Sequence, residues 1–396
     1  YPQGERDTYR ITFRDGTFTD CDEEHLWAVK DQNAIKRKQD WRVKTLKELM
    51  KWGITKSDGK NRWMTPMCSP VTYPEKILPI HPYVLGALLG DGGLGCGRIT
   101  LTKGGADQEI LDRVSELVPS ELTPWQYCNQ GSTQVLNLTV RNGNKGENPL
   151  LNALKALNLR VGGKDKFIPD LYKFSSIDQR LELLRGLMDT DGSAQKNRVT
   201  FHTCNERLGN DVCDLVRSLG GVAIKRHYVR SDGKSDEWQI NVKITSFCPF
   251  YLKRKADQWW VPVKLEHQPS KYISKVEYIG KTLTQCIAVS NPDHLYVTDD
   301  YIVTHNTSQA ICTVNLMKRV KTGLIVCPAS LKRNWVREWK MWTIHKHLRV
   351  GIVTTETRDK LDRNGKPMRE EPKRKGLLGK KIKETVDVWP EDCDVY

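Results

Sequence analysis

An internal repeat constrains the fold of this chain more than any other sequence feature, because a repeat implies two copies of one structural unit. Residues 84–92 read VLGALLGDG, and residues 184–192 read LRGLMDTDG. At a shift of 100 positions the two copies align glycine with glycine and acid with acid. We therefore predict two pseudo-symmetric halves. The aligned pairs are Gly86 with Gly186, Asp91 with Asp191, and Gly92 with Gly192.

The residues after each acid extend the repeat. Residues 98–102 and 198–202 both alternate polar and apolar side chains, which is the pattern of a half-buried strand. An amphipathic helical pattern follows in each copy, and further alternating segments come after it. Each half is therefore predicted to fold as helix, strand, helix and strands.

The glycines of the repeat need a physical reason, because glycine inside a helix costs about 1 kcal/mol relative to alanine. Gly86 and Gly90 lie four residues apart on one helical face, and the second copy has small residues at the same spacing. Such spacing lets two helix backbones approach closely, which would bring Asp91 and Asp191 together. Neighbouring carboxylates repel unless cations lie between them, and Mg²⁺ or Mn²⁺ prefers oxygen ligands. We predict a divalent metal site at these two acids, suited to phosphodiester hydrolysis.

Composition narrows the class of partner. The 396 residues carry a net charge of +15, which favours a polyanion such as nucleic acid. No apolar run approaches the roughly 18 residues that a membrane helix needs, and no secretory leader follows Tyr1, so we expect an intracellular protein without a membrane partner. The 11 cysteines are scattered without a C-x-x-C pair, so we expect neither a disulfide framework nor a zinc ribbon.

The two acidic segments resemble the motif of the LAGLIDADG homing endonucleases, in their single-chain form with two pseudo-symmetric halves. Residues 184–192 match the motif closely, whereas Leu89 stands where the motif has its earlier acid. The resemblance implies an αββαββ-type fold that cuts both strands of a long, specific double-stranded DNA site as a monomer, using Mg²⁺ or Mn²⁺. It assigns metal binding and catalysis to Asp91 and Asp191. It also suggests that Lys166 lies near the cleavage centre, with an ordinary surface lysine as the alternative.

The same resemblance implies a DNA-binding surface. In that family the strands form two saddles in the DNA major groove, which a two-stranded ribbon can enter. The polar faces of the strands are then expected to contact DNA. The residues on these faces are Arg98, Thr100, Thr102, Arg198, Thr200, His202, Gln239, Asn241 and Lys243.

The sequence on both sides of the repeat forms a second pattern. Residues 15–29 follow a strand-like segment and place His25 beside an apolar run. Residues 286–306 contain three short apolar strands that end on His305 and Asn306. Together the flanks resemble the splicing domain of an intein, the Hedgehog/intein fold of short β-strands, into which LAGLIDADG endonucleases are commonly inserted.

This second resemblance implies splicing chemistry that needs no cofactor. His25 matches the histidine that polarises the upstream scissile peptide. The side-chain amide of Asn306 would attack its own backbone carbonyl and break the bond to Thr307, whose hydroxyl accepts the upstream segment. Two positions depart from the family, since Asp22 stands where most inteins have threonine and Cys286 where many have aspartate. The matching late polar positions are Cys286, His294 and His305.

Residues 307–396 contribute more than half of the net positive charge and resemble the early part of a helicase-type ATPase of the Swi/Snf-like superfamily. Residues 323–330 predict a buried strand, and residues 331–339 predict a helix, as in an α/β RecA-like domain. The chain contains no G-x-x-x-x-G-K-[ST] loop, so Thr307 is interpreted as its last residue. ATP would bind only the complete host ATPase, and the unspliced ATPase should be inactive. Residues 358–383 are expected to be a solvated insertion.

We therefore predict an α+β multidomain chain. A split splicing domain occupies residues 1–75 and 263–306, an endonuclease occupies residues 76–262, and a partial host ATPase begins at residue 307. The nucleophile that starts splicing is expected upstream, so this fragment should cleave after Asn306 without ligating its flanks. Two alternatives remain: a decayed endonuclease that only recognises DNA, and a helicase fragment with a structural insertion. Metal-dependent nicking would separate the first from the leading hypothesis, and ATP binding would favour the second.

Overall fold

The chain divides into two units, one of residues 4–284 with 296–305 and the other of residues 1–3, 285–295 and 306–396. The computed structural model describes residues 2–95, 97–129, 133–140, 148–195, 198–229, 235–259, 269–285, 287, 289, 293–306, 336, 339–340, 349–350, 352, 354–359 and 383–388. Its helices are α1 (Gln32–Lys36), α2 (Leu46–Trp52), α3 (Pro82–Asp91), α4 (Gln108–Leu117), α5 (Pro149–Ala156), α6 (Asp170–Lys173), α7 (Ile177–Asp191), α8 (Glu206–Ser218) and α9 (Lys253–Ala256). Its strands are β1 (Pro2–Phe13), β2 (Phe18–Asp22), β3 (Leu26–Val29), β4 (Arg42–Thr45), β5 (Met64–Thr65), β6 (Gly92–Gly93), β7 (Thr100–Gly104), β8 (Leu122–Asn129), β9 (Thr133–Val140), β10 (Gly192–Gln195), β11 (Arg198–Thr203), β12 (Val222–Tyr228), β13 (Glu237–Lys243), β14 (Lys271–Gln285), β15 (Leu295–Val297), β16 (Val303–His305), β17 (Thr354–Asp359) and β18 (Lys383–Val388).

One β-sheet draws its strands from both sides of the repeat. Its order is β2-β1-β14-β5, so the long strand β14 lies between two strands from the start of the chain. Trp27 and Phe13 pack in the same core as Ile273 and Ile302. The two flanking segments therefore bury their apolar faces against each other.

The two halves of the repeat have the same architecture. The first half contributes α3, β6, β7, α4, β8 and β9, and the second contributes α7, β10, β11, α8, β12 and β13. Their antiparallel sheets have the equivalent orders β6-β7-β9-β8 and β10-β11-β13-β12. Gly92 pairs with Leu101 as Gly192 pairs with Phe201, so even the register repeats. The predicted order of helices and strands is seen in both halves.

Helices α3 and α7 form the centre of this region. Leu85, Leu88, Leu183, Leu184 and Leu187 are fully buried. The side chains of α3 itself are apolar around almost the whole circumference of the helix, which is typical of a helix buried inside a protein. Both helices end where a glycine, Gly92 or Gly192, continues directly into a strand.

The earlier acid of the motif has a structural role in the half that retains it. The Asp189 carboxylate accepts hydrogen bonds from the backbone N–H groups of Tyr251 and Leu252 and from the Tyr83 hydroxyl. In the first half Leu89 occupies the equivalent position and is buried in the core. The equivalent position therefore forms hydrogen bonds in the second half, through Asp189, and apolar contacts in the first half, through Leu89.

Several sequence predictions can be compared with the described elements. Arg98 is exposed and precedes β7, which begins at Thr100, so placing Arg98 in the strand was wrong. The predicted strands around Tyr296 and Thr304 are β15 and β16, which form a two-stranded sheet. The predicted strand and helix of residues 323–339 lie almost entirely outside the described residues. β17 and β18 pair antiparallel on either side of residues 360–382. No helix in the part of the chain that the structure describes has the length and hydrophobicity needed to cross a membrane.

Candidate active site

The site begins with the crossing of α3 and α7, where the two backbones touch. A Cβ atom added to Gly86 would overlap the carbonyl oxygen of Leu183 and lie 3.1 Å from the Cα of Gly186. A Cβ on Gly186 would overlap the carbonyl oxygen of Tyr83 and lie 3.0 Å from the Cα of Gly86. Because backbone atoms cannot rotate away, only glycine permits this approach.

The close crossing brings the two repeat acids together. A Cβ on Gly90 would overlap the Thr190 side chain and lie 3.3 Å from Oδ2 of Asp191, so this carboxylate faces the opposite helix. Asp91 directly follows Gly90, so the two acids lie close together at the ends of their helices. Burial, and then the charge of Asp91, raise the pKa of Asp191. The described residues thus contain a carboxylate pair in which one member resists ionisation.

A buried lysine forms an ion pair with one member of this pair. Lys103 contacts Asp91, and its Nζ donates to the carbonyl oxygen of Thr190 at 3.2 Å. Lys103 lies on β7 at a core-facing position of the alternating pattern. Sequence analysis missed Lys103, although a lysine in phase with the buried residues of a strand was an available signal.

Two further lysines bind the ends of the central helices. Nζ of Lys166 donates to the carbonyl oxygens of Leu88, Gly90 and Gly92 at 3.0, 2.9 and 2.8 Å. The Leu88 carbonyl also accepts from the Gly92 N–H, whereas those of Gly90 and Gly92 lie beyond the last intrahelical hydrogen bond. The positive charge complements the negative end of the α3 dipole. Burial lowers the pKa of Lys166 to about 8, against the opposing effect of the two nearby acids.

Lys255 does the same for α7. Its Nζ donates to the carbonyl oxygens of Met188, Asp189 and Thr190 at 3.0, 2.6 and 3.3 Å, and burial lowers its pKa to about 8. Sequence analysis missed this lysine, because the distance from acid to lysine differs between the halves and the repeat shift does not find it. Lys166, by contrast, was predicted near the site, and the structure places it against the end of the helix that bears Asp91.

The oxygen atoms at this site suit a divalent ion of the magnesium type. Mg²⁺ keeps several waters and is usually held by one or two carboxylates together with substrate phosphates, rather than by a complete protein cage. Asp91 and Asp191 supply such a donor set. Consistent with this incomplete set, no group of three or more His, Cys, Asp or Glu side chains suited to a metal occurs among the described residues.

A cleft of about 550 Å³ lies beside the acids and reaches the second sheet. Its lining includes Asp191, Lys164 and Lys166 together with His202 and Glu237. The cleft therefore connects the carboxylate pair with the strands expected to contact DNA.

The predicted DNA-binding residues form one polar face on the second sheet. Thr200 pairs with Asn241 and His202 with Gln239, and residues directly opposite in a sheet share a face. Arg198 donates to Asn241 at 3.1 Å and to Gln239 at 2.7 Å, which orients all three side chains.

Other predicted contacts differ in their accessibility. Thr200 is buried, and its hydroxyl is 2.9 Å from Nε2 of His202, so it supports this histidine rather than facing solvent. His202 also contacts Glu237 through its other ring nitrogen. Lys243 and, in the first sheet, Thr102 are exposed, whereas Thr100 is half-buried.

The predicted splicing histidine, His25, lies in the connection between β2 and β3. Nε2 of His25 is 2.6 Å from Oγ1 of Thr304, in the strand that ends at His305. Burial lowers the pKa of His25 to about 4, so its ring is neutral at neutral pH. Asp22, which stands where threonine is usual, accepts a hydrogen bond from the Glu24 N–H at 3.1 Å and closes the turn before the histidine.

Of the other predicted splicing residues that are described, His294 and Asn306 lie in the second unit and His305 lies in the first. The backbone N–H of Asn306 donates to the carbonyl oxygen of His294 at 2.6 Å, and Asn306 is buried. His294 has a left-handed φ of 55°. The predicted residues Cys286 and Thr307 lie outside the described residues.

Comparison with known proteins gives three findings. The replicative DNA helicase DnaB of Mycobacterium intracellulare is 28% identical over 327 residues, which cover 76% of this chain and 51% of that protein, so the chain spans about half of this relative. Residues 307–396 are less than a quarter of the chain, and most of the match therefore lies upstream of them.

Solved structures of the homing endonuclease I-DmoI show a limited likeness. Its complex with DNA and Mn is 14% identical at a TM-score of 0.31, covering 42% of this chain and 89% of that one. Its complex with DNA and Ca is 13% identical at a TM-score of 0.32, and the match covers 45% of this chain and 95% of the I-DmoI chain. The family model of the LAGLIDADG-like domain matches residues 178–250. The matched segment, which contains most of α7, all of α8 and β10–β13, and Asp191, is similar to a LAGLIDADG-like domain.

Proposed function

We propose that residues 76–262 form a metal-dependent endonuclease that cuts double-stranded DNA. The observation that supports this most directly is that Asp91 and Asp191 lie close together, each at the end of a helix from one half of the repeat, with Oδ2 of Asp191 facing Gly90. The two strands of a DNA duplex are related by local two-fold symmetry. Two acids related by pseudo-two-fold symmetry can therefore each contribute to cleavage of one strand. Mg²⁺ or Mn²⁺, when bound, would supply activation of water and stabilisation of the leaving oxygen.

The chain's own residues would hold this centre in place. Asp91 and Asp191 bind the cations, and Lys166 and Lys255 fix the helix ends on which these acids stand. Lys103 orients Asp91 and limits the negative charge of the pair when no cation is present. The polar strand faces would track the major groove, where the positive side chains of Arg198 and Lys243 favour the phosphate backbone.

Substitution of the acids tests this proposal. Asp91→Asn and Asp191→Asn should each abolish Mg²⁺-dependent cleavage of a plasmid that carries the host gene without the insertion, while binding to that DNA persists. Asp112→Asn, an exposed acid on α4, is the matched control and should cleave normally. Cleavage retained in either acid variant would refute the assigned roles.

One observation favours the alternative of a decayed, DNA-binding protein. A cation, the Lys103 ammonium, already neutralises Asp91. In that case the wild-type chain would bind the same plasmid and would neither nick nor cut it at any Mg²⁺ or Mn²⁺ concentration. The cleavage assay therefore distinguishes the two functions.

We further propose that the flanking residues 1–75 and 263–306 form an intein splicing domain. The contact between His25 and Thr304 supports this, because it joins the histidine of the first flank to the strand that leads to His305 and Asn306. The neutral His25 ring can exchange a proton with a peptide group at neutral pH. Asn306 would cyclise and release the segment that begins at Thr307.

Mass spectrometry tests the splicing proposal. The expressed chain should show a break after Asn306 that disappears in Asn306→Ala. An intact wild-type chain under all conditions would contradict it.

The host is proposed to be a helicase-type ATPase interrupted before Thr307. The similarity to a replicative DNA helicase supports a helicase host, and its position mostly upstream of residue 307 suggests that the relative shares the inserted element. Sequencing upstream of this chain tests the proposal, since a Gly-Lys pair followed by cysteine or serine is expected at the other junction.

A further inference from the structure

A strained turn lies immediately before the strand that leads to the proposed splice junction. Residues Asp299–Tyr301 form a short 3-10 turn, and Asp300 and Tyr301 both have φ of 56°. Residues with a Cβ rarely adopt this left-handed conformation. A strained conformation of this kind persists only where contacts with the surrounding structure hold it. The residues that contact this turn therefore fix its geometry.

The endonuclease segment supplies one of these partners. Arg217, in the last turn of α8, donates to Oδ1 of Asp300 at 2.6 Å, and its side chain is only 12% exposed. A charge-assisted hydrogen bond at low exposure is among the stronger side-chain contacts. Tyr301 also lines the same cavity as Tyr73, which lies in the segment leading to α3.

The flanking sheet supplies the opposing partner. Lys271 of β14 donates to the carbonyl oxygen of Asp300 at 3.2 Å and forms an ion pair with Asp15 at 3.3 Å. Lys271 and Asp15 are almost fully buried. The turn is therefore held between a lysine of the flanking sheet and an arginine of the endonuclease segment.

Hydrogen bonds hold the C-terminal end of α8 in place, and therefore also hold the backbone of Arg217. Arg180 is fully buried and donates to the Ser218 carbonyl oxygen at 3.0 Å and to the Ser218 hydroxyl at 2.6 Å. The Val71 N–H donates to the same carbonyl at 2.9 Å. The chain segment before α3 and the end of α8 are thus tied to each other.

The turn also sets the position of β16. The Thr298 N–H donates to the Ile302 carbonyl oxygen at 2.9 Å, and the Ile302 side chain is fully buried in the core of the flanking sheet. Two residues later, Thr304 contacts His25 at 2.6 Å. A change in the turn would therefore displace Thr304 relative to His25.

We propose that Arg217 is a positioning residue for the C-terminal splice junction, through which helix α8 of the endonuclease segment aligns β16, the strand that ends at His305. The inference rests on the proposed splicing function. It implies that the inserted endonuclease segment supports the chemistry of the domain that it interrupts.

The test compares three arginine variants of the full chain. Arg217→Met should slow cleavage after Asn306 about tenfold, a factor that corresponds to about 1.4 kcal/mol in the barrier. Arg217→Lys, which keeps the charge, should recover most of that rate. Arg207→Met removes another arginine of α8, one that stacks on Phe167 instead, and should leave the rate unchanged.

Hydrogen exchange provides a readout that does not depend on splicing. Arg217→Met should lose amide protection at residues 298–306 and keep it elsewhere, as measured by mass spectrometry. Unchanged protection there would overturn the proposal, as would a loss spread equally over the chain. If the wild-type chain never cleaves after Asn306, the splicing function fails, and the exchange measurement alone then decides the role of Arg217.

Discussion

Replacing Gly86 by alanine tests the geometry on which the active site depends. The new methyl group would overlap the Leu183 carbonyl oxygen and lie 2.9 Å from the Leu187 N–H nitrogen and 3.1 Å from the Gly186 Cα. All three are backbone atoms, so relief requires that the helices separate by about 1 Å at the crossing. Overpacking of this kind costs typically about 1–3 kcal/mol, and the helix propensity of alanine offsets about 1 kcal/mol.

We therefore expect Gly86→Ala to lower the free energy of unfolding by up to about 2 kcal/mol, measured by urea denaturation. The larger effect should be on function, because Asp91 and Asp191 lie one turn beyond the crossing. A displacement of about 1 Å in a catalytic site can reduce activity about 100-fold. The plasmid cleavage assay, under saturating Mg²⁺, measures this loss.

Gly209→Ala is the matched control, since it is also a glycine inside a helix. A Cβ at Gly209 would make only ordinary contacts, at 3.5 Å from the nearest side-chain atoms. This substitution should raise stability by up to about 1 kcal/mol and leave cleavage unchanged. If Gly86→Ala is as stable and active as Gly209→Ala, the close crossing does not determine the site.

Three other substitutions test particular contacts. Lys255→Met should destabilise the protein by about 1–3 kcal/mol in urea, because the buried Asp189 carbonyl loses its lysine donor and the Met188 and Thr190 carbonyls each lose one of two donors. The exposed Lys253→Met should change stability by less than about 0.5 kcal/mol. Lys103→Met should lower the melting temperature in the absence of metal, because Asp91 loses its paired cation. For the same reason, added Ca²⁺ should raise the melting temperature of the variant more than that of the wild-type protein, and an equal increase in both would contradict this role. Since folding lowers the pKa of His25 from 6.5 to about 4 and favours its neutral form, the free energy of unfolding should fall as pH drops through that interval, by at most about 3 kcal/mol. His25→Gln should remove that part of the pH dependence, and an identical profile would refute the assignment.

The repeat and its consequences could be predicted from the sequence. Local patterns fix the order of helices and strands, because periodicities of 3.6 and 2 residues are written in neighbouring positions. The pairing of Gly86 with Gly186 could also be inferred, because small residues spaced four apart on a buried helix face indicate a close helix contact. The position of Arg98 could not, since the first residue of a strand depends on its partner's register.

The lysines show where sequence reasoning ends. Lys103, Lys166 and Lys255 look alike in the sequence, yet all three are buried against Asp91 or the ends of α3 and α7. Their hydrogen-bond partners lie as far as 87 positions away along the chain, and no periodic pattern encodes such distances.

The amino-acid order alone determined that two similar halves exist and that each ends a helix with an acid. The folded chain decided how those acids share charge: Lys103 neutralises Asp91, and no lysine stands at the corresponding Thr203 of the second half. It also decided that Arg217 meets Asp300, 83 positions away. Both outcomes depend on burial and on which groups are brought within hydrogen-bond distance, and these arise only when distant segments pack together.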